Sequence, residues 1–220
     1  MSAPSHHPQQ EQLDALRDIR NLMERSSRFL ALSGLSGVLI GLLGLACTAG
    51  AFVLLDLQPG TQPGYDQRLQ EALATNPATG IQLMALFGST LLLALLTGTV
   101  MALRKGKRLG LPLWDATARR LLLNFGLPLL AGGIYTGLLL HHGQAALALP
   151  ATLLFYGLAL VNASRYTISD IRHLGVLEMA LGLLATWLPE LSLLCWAAGF
   201  GLLHIVYGLV IYKKYEQQSA

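Results

Sequence analysis

Glu178 and His204 are ionisable side chains set inside two long apolar stretches, residues 171–188 and 191–212. An ionisable group in such a stretch is expensive to place in lipid and marks, by default, a site that handles protons, ions or substrate. A carboxylate beside an imidazole can bind a cation, or pass a proton, because imidazole changes charge near neutral pH. The structural alternative is a hydrogen-bonded pair that holds two helices in register. Each residue lies on a stripe of small side chains, Gly175, Glu178, Gly182 and Ala185 in one stretch and Ala197, Gly201, His204 and Gly208 in the other. Small residues are where membrane helices approach one another closely, so both stripes should turn away from lipid. At about 1.5 Å of rise per residue, Glu178 stands about 7.5 Å from His173 and His204 about 13.5 Å from Lys213. The turn at Pro189-Glu190 makes the two stretches antiparallel neighbours, and a Glu178–His204 contact is expected. Tyr156 and Asn124 fall at similar depth and are candidates to line the same ligand or proton site, with Thr97 and Asn162 beside them.

The elements that must position these residues are membrane spans. Of the 220 residues only 12% are charged and 53% are hydrophobic, against roughly 25% charged in a soluble domain. That excludes an ordinary water-soluble globule. The apolar residues fall in blocks about as long as a bilayer is thick, and six are read: 29–55, 81–103, 121–140, 145–162, 171–188 and 191–212. The expected fold is an all-α polytopic membrane bundle of six transmembrane helices. Membrane β-strands would instead be about ten residues of alternating polarity.

Charge sets the expected orientation. Of the 15 Lys and Arg residues, 14 lie in the N-terminal segment 1–28, the loop after the second span, the stretch from the fourth span through 173 at the cytoplasmic end of the fifth, and the tail 213–220, and Arg68 is the one on the other side. Cytoplasmic loops keep Lys and Arg, so both termini are expected in the cytoplasm. Residues 1–28 carry Glu11, Asp14, Asp18 and Glu24 without a short apolar core and cleavage site, so no secretory signal is read there. Cys47 and Cys195 both fall inside spans, and no CxxC or paired-His spacing suggests a metal. No cofactor and no nucleic-acid partner are expected.

Outside the spans, Gln12 to Arg28 reads as an amphipathic helix with Leu13, Leu16 and Met23 near one face. It is either a lead-in to the first span or a docking surface for a cytoplasmic protein or lipid headgroups. The loop 56–80 opens on two Pro-Gly turns and runs Asp66–Ala74 as a short helix, a lid or a spacer. Arg104, Lys105, Lys107 and Arg108 form a juxtamembrane cluster that fixes topology and attracts anionic headgroups at about 1 kcal/mol each. Asp115 is placed to cap the next helix. His141, His142 and Glu190 mark a weak cation site at the opposite rim.

Helix packing is expected along the glycines. Gly34, Gly37, Gly41 and Gly44 recur every three or four residues in the first span, Gly126, Gly133 and Gly137 recur in the third, and Gly201 and Gly208 lie in the sixth. Tyr156-Gly157-Leu158 and Tyr207-Gly208-Leu209 suggest a repeated hairpin.

The run Glu24-Arg25-Ser26-Ser27-Arg28-Phe29-Leu30, continuing through Ala31-Leu32-Ser33-Gly34-Leu35-Ser36-Gly37, resembles the opening of a group of uncharacterised bacterial integral membrane proteins with about six spans. The resemblance implies a bacterial inner-membrane location and assigns no residue a role. Three functions compete. The intramembrane acid and histidine favour a transporter or channel for a small solute or ion, oligomeric because six short helices enclose little volume. The N-terminal helix supports a non-catalytic sensor or scaffold. An enzyme acting on lipid lacks a nucleophile and base within mutual reach, so no catalytic residue is assigned.

Overall fold

The computed structural model describes residues 33–57, 64–110 and 114–217. Among them every regular element is a helix. α1 spans Gly34–Leu54, α2 Tyr65–Thr75, α3 Pro77–Arg108, α4 Ala116–His141, α5 Ala148–Ala163 and α6 Ile171–Trp187. The chain then forms one rod, Pro189–Tyr215, made of α7 (Ser192–Trp196), a π-helical stretch Ala197–Leu203, α8 (His204–Ile211) and a second π stretch Tyr212–Glu216. The expected amphipathic helix Gln12–Arg28 and the first residues of the span read at 29–55 lie outside the described residues.

Five helices are long and apolar enough to cross a membrane: α1, α3, α4, α5 with its leading turn, and the rod. α6, the remaining expected span, has 17 residues and a length of about 25 Å, short of a hydrocarbon core of about 30 Å. Leu188 and Pro189 stop it at one end. α3 exceeds the apolar run 81–103 at both ends. Asn76 caps it through Ala78 N–H at 3.1 Å, Pro77 occupies a first-turn position where no N–H is needed, and Lys105, Lys107 and Arg108 occupy the last turn, where the helix dipole favours positive charge. α4 likewise begins ahead of its apolar run, because the Asp115 carboxylate accepts from Ala118 N–H at 2.7 Å.

The helices pack in a row: α4 on α5, α5 on α6, α6 on the rod, the rod on α1, and α1 on α3. α3 and α4 form the flanks and present large apolar side chains outward, Leu127 at 72% and Leu92 at 63% exposure among them. The seam between α1 and the rod is built from glycine. A Cβ on Gly41 would stand 2.6 Å from the Gly201 carbonyl oxygen, and one on Gly208 would stand 2.7 Å from that of Gly34. The Gly37 position would meet Gly208 Cα at 3.0 Å. These approaches are closer than any side chain permits, so the two backbones touch directly.

In α4 the packing differs from the expected stripe. Gly133 and Gly137, and with them Gly126, face open space, and Gly132 is the glycine that meets a neighbour, the Phe155 side chain of α5. α4 touches the bundle chiefly along α5, and one residue is a rotation of about 100°. The repeated Tyr-Gly-Leu motif also packs unlike itself, since Gly157 meets Gly175 of α6 whereas Gly208 meets α1.

Two apolar clusters close the ends. At the end holding α2, Leu55, Leu83, Leu149, Leu193 and Trp196 are buried together with Tyr65 and Leu69 of α2, so this helix is folded over the bundle. At the end carrying the basic residues, called the basic end below, Leu160, Ile168, Ile171, Leu174 and Ile211 form the second cluster. There Lys214 Nζ reaches Asp170 Oδ2 at 2.8 Å, with the Tyr215 hydroxyl donating to the same oxygen.

Candidate functional site

Glu178 and His204 meet between the two clusters. His204 Nδ1 stands 3.4 Å from Glu178 Oε1, and the side chains are 5% and 0% exposed. The ion pair between Lys214 and Asp170 joins the same two elements nearer the basic end. Counted from that pair, Glu178 and His204 lie about 12 Å and about 15 Å along their helices, close enough for side chains to span the difference.

The hydrogen bonds fix the imidazole. Nδ1 lies 2.9 Å from the Gly199 carbonyl oxygen, which can only accept, so Nδ1 carries the hydrogen. Nε2 of the neutral ring is then an acceptor, and the Tyr156 O–H donates to it at 2.8 Å. The Gly199 carbonyl belongs to the π-helical stretch, a departure from α geometry that recurs at functional sites. Both carboxyl oxygens of Glu178 are buried and without a hydrogen-bond partner among the described residues. The carboxyl lies against the face of Gly199 where a side chain would project, with Leu153 alongside. Any side chain at position 199 would strike it.

An aromatic ladder carries the site. Trp196, Phe200 and His204 follow at helical spacing, with centroids 4.8 Å apart for the first two and 5.7 Å for the second pair. The Tyr156 ring lies 4.8 Å from Phe200 and 5.4 Å from His204. The Phe125 ring stands edge-on to Tyr156 at 6.2 Å. Below, a cavity of about 90 Å³ reaches from the basic-end termini of α1, α6 and the rod to Tyr156 and His204, lined also by Ser33, Ser36, Tyr207 and Ile211. It has room for several water molecules. Above, toward α2, the way is filled by Leu153, Leu193, Cys195 and Trp196, all under 8% exposed.

Of the expected site residues, Glu178, His204 and Tyr156 are brought together and Asn124 is not. The Asn124 amide donates to the Arg120 carbonyl oxygen of its own helix at 2.8 Å, and neither it, Thr97 nor Asn162 lines the cavity. The neighbouring Phe125 makes the α4 contact instead. At the opposite rim His141 and His142 stack on each other at 5.3 Å. With Glu190 they form no metal-holding cluster, and no such cluster occurs among the described residues. Glu190 lies against Gly64 ahead of α2.

Gly199 and Phe200 complete the site without having been read from the sequence. The spacing of Trp196, Phe200 and His204 was the available sign. No family model, curated protein or solved structure matches this chain.

Proposed function

We propose that this chain is a transporter or channel for a small solute or ion. It is read as a multi-pass protein of six spans in a bacterial inner membrane, with both termini cytoplasmic. The observation that carries the reading is the fully buried, unpartnered carboxyl of Glu178 beside His204, at the head of a cavity that starts at the basic end. A pair serving only to hold helices in register would be expected to satisfy its own hydrogen bonds. Support for α6 as a sixth span comes from its place between two neighbours inside the row, where a short helix is shielded from lipid on both sides.

Oligomerisation is part of the reading, because the cavity is small and the flanking helices α3 and α4 are largely exposed. Anionic headgroups fit the exposed Arg104, Lys107 and Arg108 with Lys105 at the end of α3.

Native mass spectrometry of the protein extracted gently from its own membrane tests the proposal. A homo-oligomer that carries a defined small ligand or ion, lost on Glu178→Gln in a protein that remains folded, is the expected result. A stoichiometric complex with a second protein, lost when residues 1–28 are removed, would instead make the chain a sensor or scaffold.

A further inference from the structure

We infer that the ion handled at this site is a proton, passed from the basic-end cavity through Tyr156 and His204 to Glu178, and that the site admits nothing larger. The inference rests on the transport reading and narrows it to one chemical class.

The size argument comes first. A metal cation in a protein takes several oxygen ligands, six to eight for calcium and a near-ideal octahedron for magnesium. Against Glu178 stand the Gly199 backbone and the imidazole of His204, with Leu153 on the same side of Gly199, and among the described residues no group of three His, Cys, Asp or Glu could hold a metal. The carboxyl presses on Gly199 so closely that even a methyl group could not be inserted. The Nδ1–H next to it would repel a cation. The cavity ends at Tyr156 and His204, and Glu178 is not part of its wall. An ionised carboxylate with no hydrogen bond in so apolar a place is strongly disfavoured. A proton, held by the carboxyl or shared with His204, removes that cost without needing space.

The route follows from the hydrogen bonds. Tyr156 and His204, joined through O–H and Nε2, both line the cavity, which has room for water. When a hydronium in the cavity protonates the Tyr156 oxygen as its own O–H hydrogen passes to Nε2, the ring becomes a cation with hydrogen on both nitrogens. Nδ1, whose hydrogen is held by the Gly199 carbonyl oxygen in this conformation, then turns it to Glu178 Oε1, 3.4 Å away, and releases it, and the ring returns to neutrality as the other tautomer. An O–H bond breaks in the hydronium as one re-forms on Tyr156, the hydrogen Tyr156 gives up forms the Nε2–H bond, and the Nδ1–H bond breaks as the Glu178 carboxylate gains its O–H, so a single proton has moved inward. Rotation or a return transfer resets the ring.

The titratable groups that face Glu178 among the described residues are His204 from the rod and Tyr156 from α5. α1 brings Ser33, Ser36 and glycines to the cavity, and the rod adds Tyr207. Among the described residues no Lys, Arg, Asp or Glu lines it. Toward α2 the way is filled by the apolar side chains of Leu153, Leu193 and Trp196. Access is therefore from one side in this conformation.

Infrared spectroscopy of the full protein in lipid vesicles tests the inference. The pH is stepped at constant sodium, and sodium and then potassium are stepped at constant pH. Expected is one protonated-carboxyl band that follows pH with a single-proton slope, ignores both metal ions, moves in Glu178→Asp and vanishes in Glu178→Gln. Tyr156→Phe should keep the band and slow its response to a pH jump at least tenfold. A band that follows sodium or potassium would show a metal-ion site, and one that no pH step moves would show a purely structural carboxyl. Either overturns the inference, and an unchanged rate in Tyr156→Phe overturns the route. A proton-silent Glu178 in a protein that carries a small ligand would retire this inference alone. A titrating Glu178 in a protein that binds only a second protein would retire the transport reading alone.

Discussion

Gly157 and Gly175 face each other so that the missing side chain of each points at the carbonyl oxygen of the other, where a methyl group would stand only 2.5 or 2.6 Å away. This reciprocal approach brings α5 and α6 together beneath Glu178. Neither carbonyl can move without disturbing a helix. Gly157→Ala and Gly175→Ala should each destabilise the protein by about 1–3 kcal/mol through overpacking. The double variant should cost less than the two singles added, because one separation of the helices relieves both clashes. Thermal unfolding in detergent checks both statements.

A second test concerns the face of α4. Gly132→Ala drives a methyl into the Phe155 side chain, whereas Gly133→Ala, one residue later, meets open space. The first should destabilise by about 1–3 kcal/mol and the second by under about 0.5 kcal/mol. Equal losses in the monomer would mean that α4 is rotated from the orientation described.

The imidazole tautomer is also measurable. His204 should carry its hydrogen on Nδ1, facing the Gly199 carbonyl, with Nε2 accepting from Tyr156. Nitrogen NMR of histidine-labelled protein distinguishes the two ring nitrogens directly. In Tyr156→Phe the Nε2 acceptor loses its donor inside the protein, a change expected to cost about 1–3 kcal/mol.

Tyr65 supplies a pH dependence outside the spans. Its burial at the start of α2, in the apolar cluster with Leu55, Leu83 and Leu193, lifts the phenol well above its ordinary range, so the folded protein resists ionising it. The unfolded chain ionises at about pH 10. Below that pH the contribution to stability is fully present, and as pH climbs past it the unfolded state gains by releasing the proton while the folded state does not. Stability should therefore fall in the alkaline range. Tyr65→Phe should flatten that fall, with denaturant unfolding followed from neutral to alkaline pH as the measurement.

The spans were legible because lipid imposes a length and a composition on any helix that crosses it, and α1, α3, α4, α5 and the rod obey both. The Glu178–His204 contact was legible for a related reason. A charge-bearing group inside an apolar stretch has few places to go, and the small residues beside each one named the buried face. Periodicity alone cannot say which face of a helix on the flank of a row meets its single neighbour, and so the α4 stripe at Gly133 and Gly137 was read one residue away from the contact at Gly132. Asn124 was read as a site residue by depth, yet a side chain that can satisfy its own helix backbone has no need to turn inward. The π-helical register at Ala197–Leu203 has no composition of its own, so the carbonyl of Gly199 could not be found without coordinates.

That stretch of π-helix has a consequence for how the two halves of the rod are aimed. A widened turn holds one residue more than an α-helix needs, so it works as an angular spacer between α7 and α8. On one side of it Trp196 meets Phe87 of α3 edge-on at 5.1 Å, and on the other His204 meets Tyr156. Taking out a single residue there would let the stretch from α7 through α8 run as regular α-helix and swing Trp196 by about 100° relative to His204. Both contacts could not then be made at once. The irregular turn is thus what allows one helix to serve α3 at its far end and Glu178 at its middle, and a conversion between the two registers would couple the packing of α3 to the protonation site without bending the rod.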